Sequence, residues 1–161
     1  MRFGKKIFRS RQETDIDVSE SDGVRTLHLG STAIQSAMRI AKPDHLELAY
    51  TRAMMAFLLF KPDPEEILMI GLGGGSLAKF VHKYMADAKT VVVEISPKVV
   101  TVARHLFHLP EDDARLSVIV DDGAAYLPGR QGIADIGLTA ESMAKDFSTA
   151  IRVTPKHLRG M

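Results

Sequence analysis

At 161 residues the chain suffices for one domain and is too short for two ordinary ones. Hydrophobic residues make up 45% and charged residues 25%, with 21 Lys and Arg against 20 Asp and Glu, so it is a folding chain with no global field toward nucleic acid or an anionic membrane. The absence of Cys excludes disulfides, thiolate nucleophiles, iron–sulfur clusters and cysteine-ligated zinc, and makes the cytosol the expected compartment.

In chain order, Met1–Arg11 carries Arg2, Lys5, Lys6, Arg9 and Arg11 with no apolar run behind it, and reads as a solvated basic arm. Ile16 and Val18, then Leu27 and Leu29, alternate with polar neighbours around the turn residues Ser21-Asp22-Gly23, which predicts a β-hairpin. From Leu46 to Phe60 the pattern is helical until Pro62 and Pro64 end it. Its apolar part, Ala53–Phe60, is short of the ~20 residues a bilayer needs, so no membrane is expected as a partner. With no aromatic platform or arginine-rich helix beside the basic arm, no nucleic acid is expected either. Residues 1–45 are thus set apart as a basic arm and hairpin region.

Residues 46–138 read as an α/β, Rossmann-like nucleoside-binding domain with its linking helix. Ile67-Leu68-Met69-Ile70 is continuously apolar, as a buried parallel strand requires, and breaks into Gly71-Leu72-Gly73-Gly74-Gly75-Ser76 before a helix reaching about Met85. Val91-Val92-Val93 is a second buried strand, closed by Glu94. Pro97 suits the first turn of a second helix, whose apolar face is Val99, Val100, Ala103 and Phe107. Leu116–Val120 is a third strand, closed by Asp121-Asp122-Gly123. Together these make a βαβαβ unit in a Rossmann-like parallel sheet. Residues 139–161 form a divergent tail: after a weak strand at Ala134–Leu138, the spacing of Met143, Phe147 and Ile151 predicts a helix over Thr139–Ile151.

The chemistry concentrates where strands end. Gly71, Gly73 and Gly75, between a buried strand and a helix, permit a tight turn and close backbone approach to a ligand. Glu94, about twenty residues further on, stands where a carboxylate accepts the two hydroxyl hydrogens of a ribose. The plain alternative is a tight turn with an exposed Glu. A carboxylate at Asp122 can accept the exocyclic amine of an adenine, or Asp121 and Asp122 simply form a turn before Gly123. The run G-x-G-G-G-S suits an adenosyl group better than a dinucleotide, and without a following Lys-Ser/Thr it is not a P-loop. His105 and His108 lie three apart with no third ligand at a matching offset, and read as helix-end residues; His28, His45 and His82 read as solitary. No metal site is expected.

These motifs, with Val93-Glu94-Ile95-Ser96-Pro97, resemble the nucleoside motifs of polyamine aminopropyltransferases, the spermidine synthase family, and fit best with its divergent branch. Gln35-Ser36-Ala37-Met38 and Leu46–Arg52 are similar to that family's passage from hairpin to helix, so the resemblance covers Ile16 to Leu127. It implies a methyltransferase-type Rossmann domain behind a small β-domain, with Glu94 on the ribose, Asp122 on the adenine, and Gln35 and Tyr50 lining the nucleoside and amine pocket. Gly74 stands where the family has an Asp that holds the amino end of the donor, and Tyr50-Thr51-Arg52 replaces Tyr-His-Glu. Ala140 falls at the position of the family's proton-accepting Asp, so the catalytic residue is unassigned; Asp121, Asp135 and Glu141 are the neighbouring acids. The family continues with further strands where this chain has its tail, so the sheet is expected to be incomplete and the chain to self-associate.

The implied function is transfer of an aminopropyl group from decarboxylated S-adenosylmethionine to a polyamine, or at least binding of a methylthioadenosine-type nucleoside. The alternatives are an S-adenosylmethionine-dependent methyltransferase and a non-catalytic remnant that binds a nucleoside or a partner chain. Met69, where methyltransferases often carry an acid, weakens the former. The ribose role predicts that Glu94→Ala abolishes nucleoside binding with little change in the melt.

Overall fold

The structure, a computed structural model, describes residues 5–10, 15–126 and 150–154. Strands β1 (Lys5–Ser10), β2 (Ile16–Ser21), β3 (Val24–Leu29) and β4 (Ser36–Arg39) form an antiparallel sheet in that order. The expected hairpin is β2–β3, in register Val18↔Leu27, turned by Asp22 and Gly23 at φ 51° and 72°. Positive φ at both turn residues matches the twist of the flanking strands. Ile16, Val18, Leu27 and Met38 are fully buried and open one core with Leu46, Met55 and Ile67.

Part of the basic arm is a strand instead of a solvated tail. Lys5–Ser10 pairs with β2, where Lys6 Nζ reaches Asp17 Oδ2 at 3.2 Å. Lysines on an edge strand are compatible with pairing on its inner side, which is why charge alone misleads here. The helix expected over Leu46–Phe60 is shorter: α1 covers Ala49–Met54 and tightens to a 3₁₀ turn over Met55–Leu59. Leu59 and Phe60 emerge 82% and 89% exposed.

The βαβαβ unit is present with small boundary changes: β5 (Glu66–Ile70), α2 (Ser76–Tyr84), β6 (Lys89–Glu94), α3 (Pro97–Phe107), β7 (Leu116–Val120) and a turn of helix, α4 (Gly123–Tyr126). β5, β6 and β7 are parallel neighbours, with Met69 opposite Val92 and Val92 opposite Val118. Pro97 opens α3, and Ser96 caps it by accepting from Val99 N. At the other edge of β5, β8 (Ala150–Thr154) pairs antiparallel, with Ile151 opposite Met69. Ala150 and Ile151, expected at the end of a helix, are therefore strand residues; the intramolecular ladder on β5 outweighs a helical spacing set by three residues. The rest of that helix and the strand expected at Ala134–Leu138 lie outside the described residues.

His82, read as solitary, donates through Nε2 to Asp113 Oδ2 at 2.8 Å, tying α2 to the loop before β7. Asp113 Oδ1 also accepts from Arg115 N and Leu116 N at 2.8 Å. The His82 hydrogen bond first, and these two backbone bonds next, pull the Asp113 carboxyl from 3.8 down to about 2. A lowered native pKa stabilises above the ordinary carboxylate value, and the contribution is lost as pH falls through the native one. Asp113→Asn is expected to lower the urea midpoint at about pH 6 and to match wild type below about pH 2. An equal deficit at both would mean that the charge is not what matters.

Candidate functional site

The ends of β5, β6 and β7 meet at one edge of the parallel sheet, and there the glycine loop, Glu94 and the Asp pair come together. Gly71 N donates to Val93 O at 2.8 Å, carrying the β5–β6 ladder into the loop. Gly71, Gly73 and Gly75 have φ of 87°, 56° and 72°. Gly75 is the left-handed residue that starts α2, a conformation that costs other residues about 1–2 kcal/mol. No side chain caps α2.

Glu94 is buried, at 7% exposure, with both carboxylate oxygens engaged. Oε2 accepts from Leu72 N at 2.8 Å and Oε1 from Ser96 N at 2.9 Å. The side chain thus joins the loop after β5 to the turn after β6. A carboxylate has about four acceptor positions, so each oxygen keeps one for a ligand hydroxyl. Asp121 N donates to Glu94 O at 3.1 Å, which brings the end of β7 alongside.

Asp121 Oδ1 accepts from Asp122 N at 2.7 Å, and Asp122 Oδ1 from Ala124 N at 2.8 Å. Asp122 thereby caps α4 while exposed to solvent. Its Oδ1 serves the cap, and among the described residues Oδ2 has no hydrogen-bond partner.

The small sheet supplies the other wall. Buried Ser36 on β4 and Ser76 at the start of α2 share a hydrogen bond at 3.0 Å. This sets half-buried Gln35 beside the loop, where a Cβ on Gly73 would lie 3.9 Å from Gln35 O. Tyr50 on α1 donates its hydroxyl to the same Gln35 O at 2.7 Å. Gln35, Tyr50, Gly71, Leu72 and Ser76 line a small cleft. Ser36 was missed because a lone small hydroxyl in a strand carries no pattern.

Residues 47–142 match the Spermine/spermidine synthase domain. The chain belongs to this family. A polyamine aminopropyltransferase from Chromobacterium violaceum is 47% identical over 121 residues, which are 75% of this chain and 46% of that protein. Spermidine synthase from Thermotoga maritima aligns with a TM-score of 0.59 at 23% identity, over 76% of this chain and 42% of its own. A spermidine synthase in complex with the transition state analogue AdoDATO aligns with the same values. These structures share the fold, and the chain spans less than half the length of the relatives it matches.

Within this spermidine synthase domain, two departures from the family pattern acquire geometry. A Cβ on Gly74, where the family's Asp would stand, lies 2.7 Å from Ser36 Oγ and 2.8 Å from Phe107 Cδ1. Arg52, at the position of the family's Glu, folds back so that Nη1 donates to Leu46 O and Glu47 O, both at 2.8 Å. Ala140, Asp135 and Glu141 lie outside the described residues. Among the described residues no group of three or more His, Cys, Asp and Glu side chains is arranged to hold a metal, and His108 is the left-handed cap of α3. No described helix is long and apolar enough to cross a membrane.

Proposed function

We propose that this chain is a spermidine-synthase-like transferase that binds decarboxylated S-adenosylmethionine or a methylthioadenosine-type nucleoside, with a polyamine as acceptor. The observation that carries this reading is Glu94, tied through both oxygens to Leu72 N and Ser96 N and so held rigid beside the glycine loop. Glu94 takes the ribose hydroxyls, Asp122 Oδ2 the adenine amine, and Gln35 and Tyr50 line the nucleoside and amine pocket. In the reaction the amine nitrogen attacks the propyl carbon bound to sulfur. That C–S bond breaks toward sulfur, methylthioadenosine leaves, and the nitrogen gives up a proton. General-base help with that proton is worth about 10²–10⁴-fold. The base is unassigned, since Ala140 stands at the position of the family's proton-accepting Asp. A cytosolic location and self-association through the exposed Leu59 and Phe60 belong to the same proposal.

The test is a thermal melt with methylthioadenosine. Ligand at about 100 times its dissociation constant adds roughly 2.7 kcal/mol, expected here as a rise of about 5–10 °C. A melt that does not move removes the nucleoside reading. Nucleoside binding without transfer is the second reading, favoured by Gly74 and by Arg52 turned onto its own backbone. Aminopropyl transfer to putrescine supports the first reading; binding without transfer supports the second; methyl transfer from S-adenosylmethionine replaces both.

A further inference from the structure

Lys79 is 1% exposed on the inner face of α2, among Ser76, Leu77, Ala78 and Val81. Burial pushes its ammonium down to about 8, against the opposing pull of the Asp44 carboxylate in the connection between β4 and α1. An apolar side chain of the same length would fill this space without the cost of desolvating a charge. What the ammonium adds is a donor: Nζ gives a hydrogen bond to Phe107 O at 2.6 Å.

The neighbouring carbonyl is taken as well, since Arg25 Nη1 on β3 donates to Leu106 O. The last carbonyls of a helix lack partners within it and carry the negative end of its dipole. In α3 two of them are held by cations from two other elements, one in each sheet-bearing half of the molecule. The side chains fixed by this turn form the back of the glycine loop. A Cβ on Gly74 would lie 2.8 Å from Phe107 Cδ1, and one on Gly75 would lie 2.8 Å from Leu109 Cδ1. Phe107 and Leu109, at the end of α3, thus pack directly against the glycines of the loop.

We propose that Lys79 is a positioning residue for the glycine loop: by holding Phe107 O it presses the end of α3 against Gly74 and Gly75 and keeps Leu72 N on Glu94. Its effect on ligand rests on the nucleoside reading above; its effect on the loop does not. The test compares Lys79→Met and Lys79→Arg with wild type in the full chain, by hydrogen exchange at the Leu72 and Gly75 amides without ligand and by methylthioadenosine titration. Lys79→Met keeps the volume and removes the charge; relief of the desolvation cost offsets the lost bond to Phe107 O, so its melt is expected to stay within a few degrees of wild type. Its loop amides are expected to exchange about tenfold faster and its affinity to fall about tenfold, the size of one lost charge-assisted hydrogen bond. Lys79→Arg, which keeps donor and charge, is expected to recover both.

Loop exchange unchanged in Lys79→Met overturns the proposal. So does faster exchange spread evenly over the protein with a lowered melt, which marks an ordinary core residue. If wild type binds no methylthioadenosine while loop exchange still depends on Lys79, the nucleoside reading falls and the positioning role stands.

Discussion

Glu94→Ala is expected to abolish the methylthioadenosine-induced rise in melting temperature and to lower the melt of the free protein by on the order of 10 °C. Leu72 N and Ser96 N both lose their acceptor, and a buried donor left without one costs about 1–3 kcal/mol. The sequence alone suggests a carboxylate free to meet a ligand, hence an unchanged melt. The structure reverses that half of the expectation, because the same side chain that faces the site also ties the loop to the next turn. Glu94→Gln keeps one acceptor oxygen and turns an NH₂ toward the other N–H, so its melt is expected to fall between the two. A lowered melt with the nucleoside shift intact would make Glu94 a purely structural tie. A normal melt with full affinity would remove the ribose assignment and the geometry behind it.

Gly74→Asp, which restores the family's acid, is expected to lose stability by on the order of 10 °C and to gain no transfer to putrescine. The new Cβ meets Ser36 Oγ at 2.7 Å and Phe107 Cδ1 at 2.8 Å, in a loop residue that is itself buried. Overpacking of this kind costs about 1–3 kcal/mol. A carboxylate placed there without a partner adds the penalty of a buried charge. Gly74→Ala gauges the steric part and is expected to fall between wild type and Gly74→Asp. A Gly74→Asp chain that melts like wild type and turns over putrescine would show that Phe107 yields. The loop would then be the family's ordinary donor site awaiting its acid.

The parallel core was legible because its signals are local. Continuous apolar runs at Ile67–Ile70 and Val91–Val93, short, rich in β-branched residues and the first closed by glycines, fit strands of a buried parallel sheet. Pro62 and Pro64 lie beyond the linking helix and Pro97 opens α3, boundaries set by a residue that a helix interior disfavours. The edges were less legible. Lys5–Ser10 and Ala150–Thr154 are strands because β2 and β5 offer them unpaired backbone, a fact about the partner rather than about the segment. The linking helix came out shorter than its apolar pattern, and Leu59 and Phe60 ended in solvent.

The sequence by itself determined the βαβαβ order, the glycine loop, and the placing of Glu94 and Asp122 at strand ends, since strand and helix periods bring those ends to one edge in any parallel sheet. Its motifs also carried the family. Only the tertiary structure decided what surrounds them: the Ser36–Ser76 bond that brings Gln35 and Tyr50 to the loop, the two backbone donors on Glu94, and Phe107 filling the space beside Gly74. These contacts join residues up to 40 positions apart. No period or propensity encodes such a pairing; it exists only once the sheets and helices have packed.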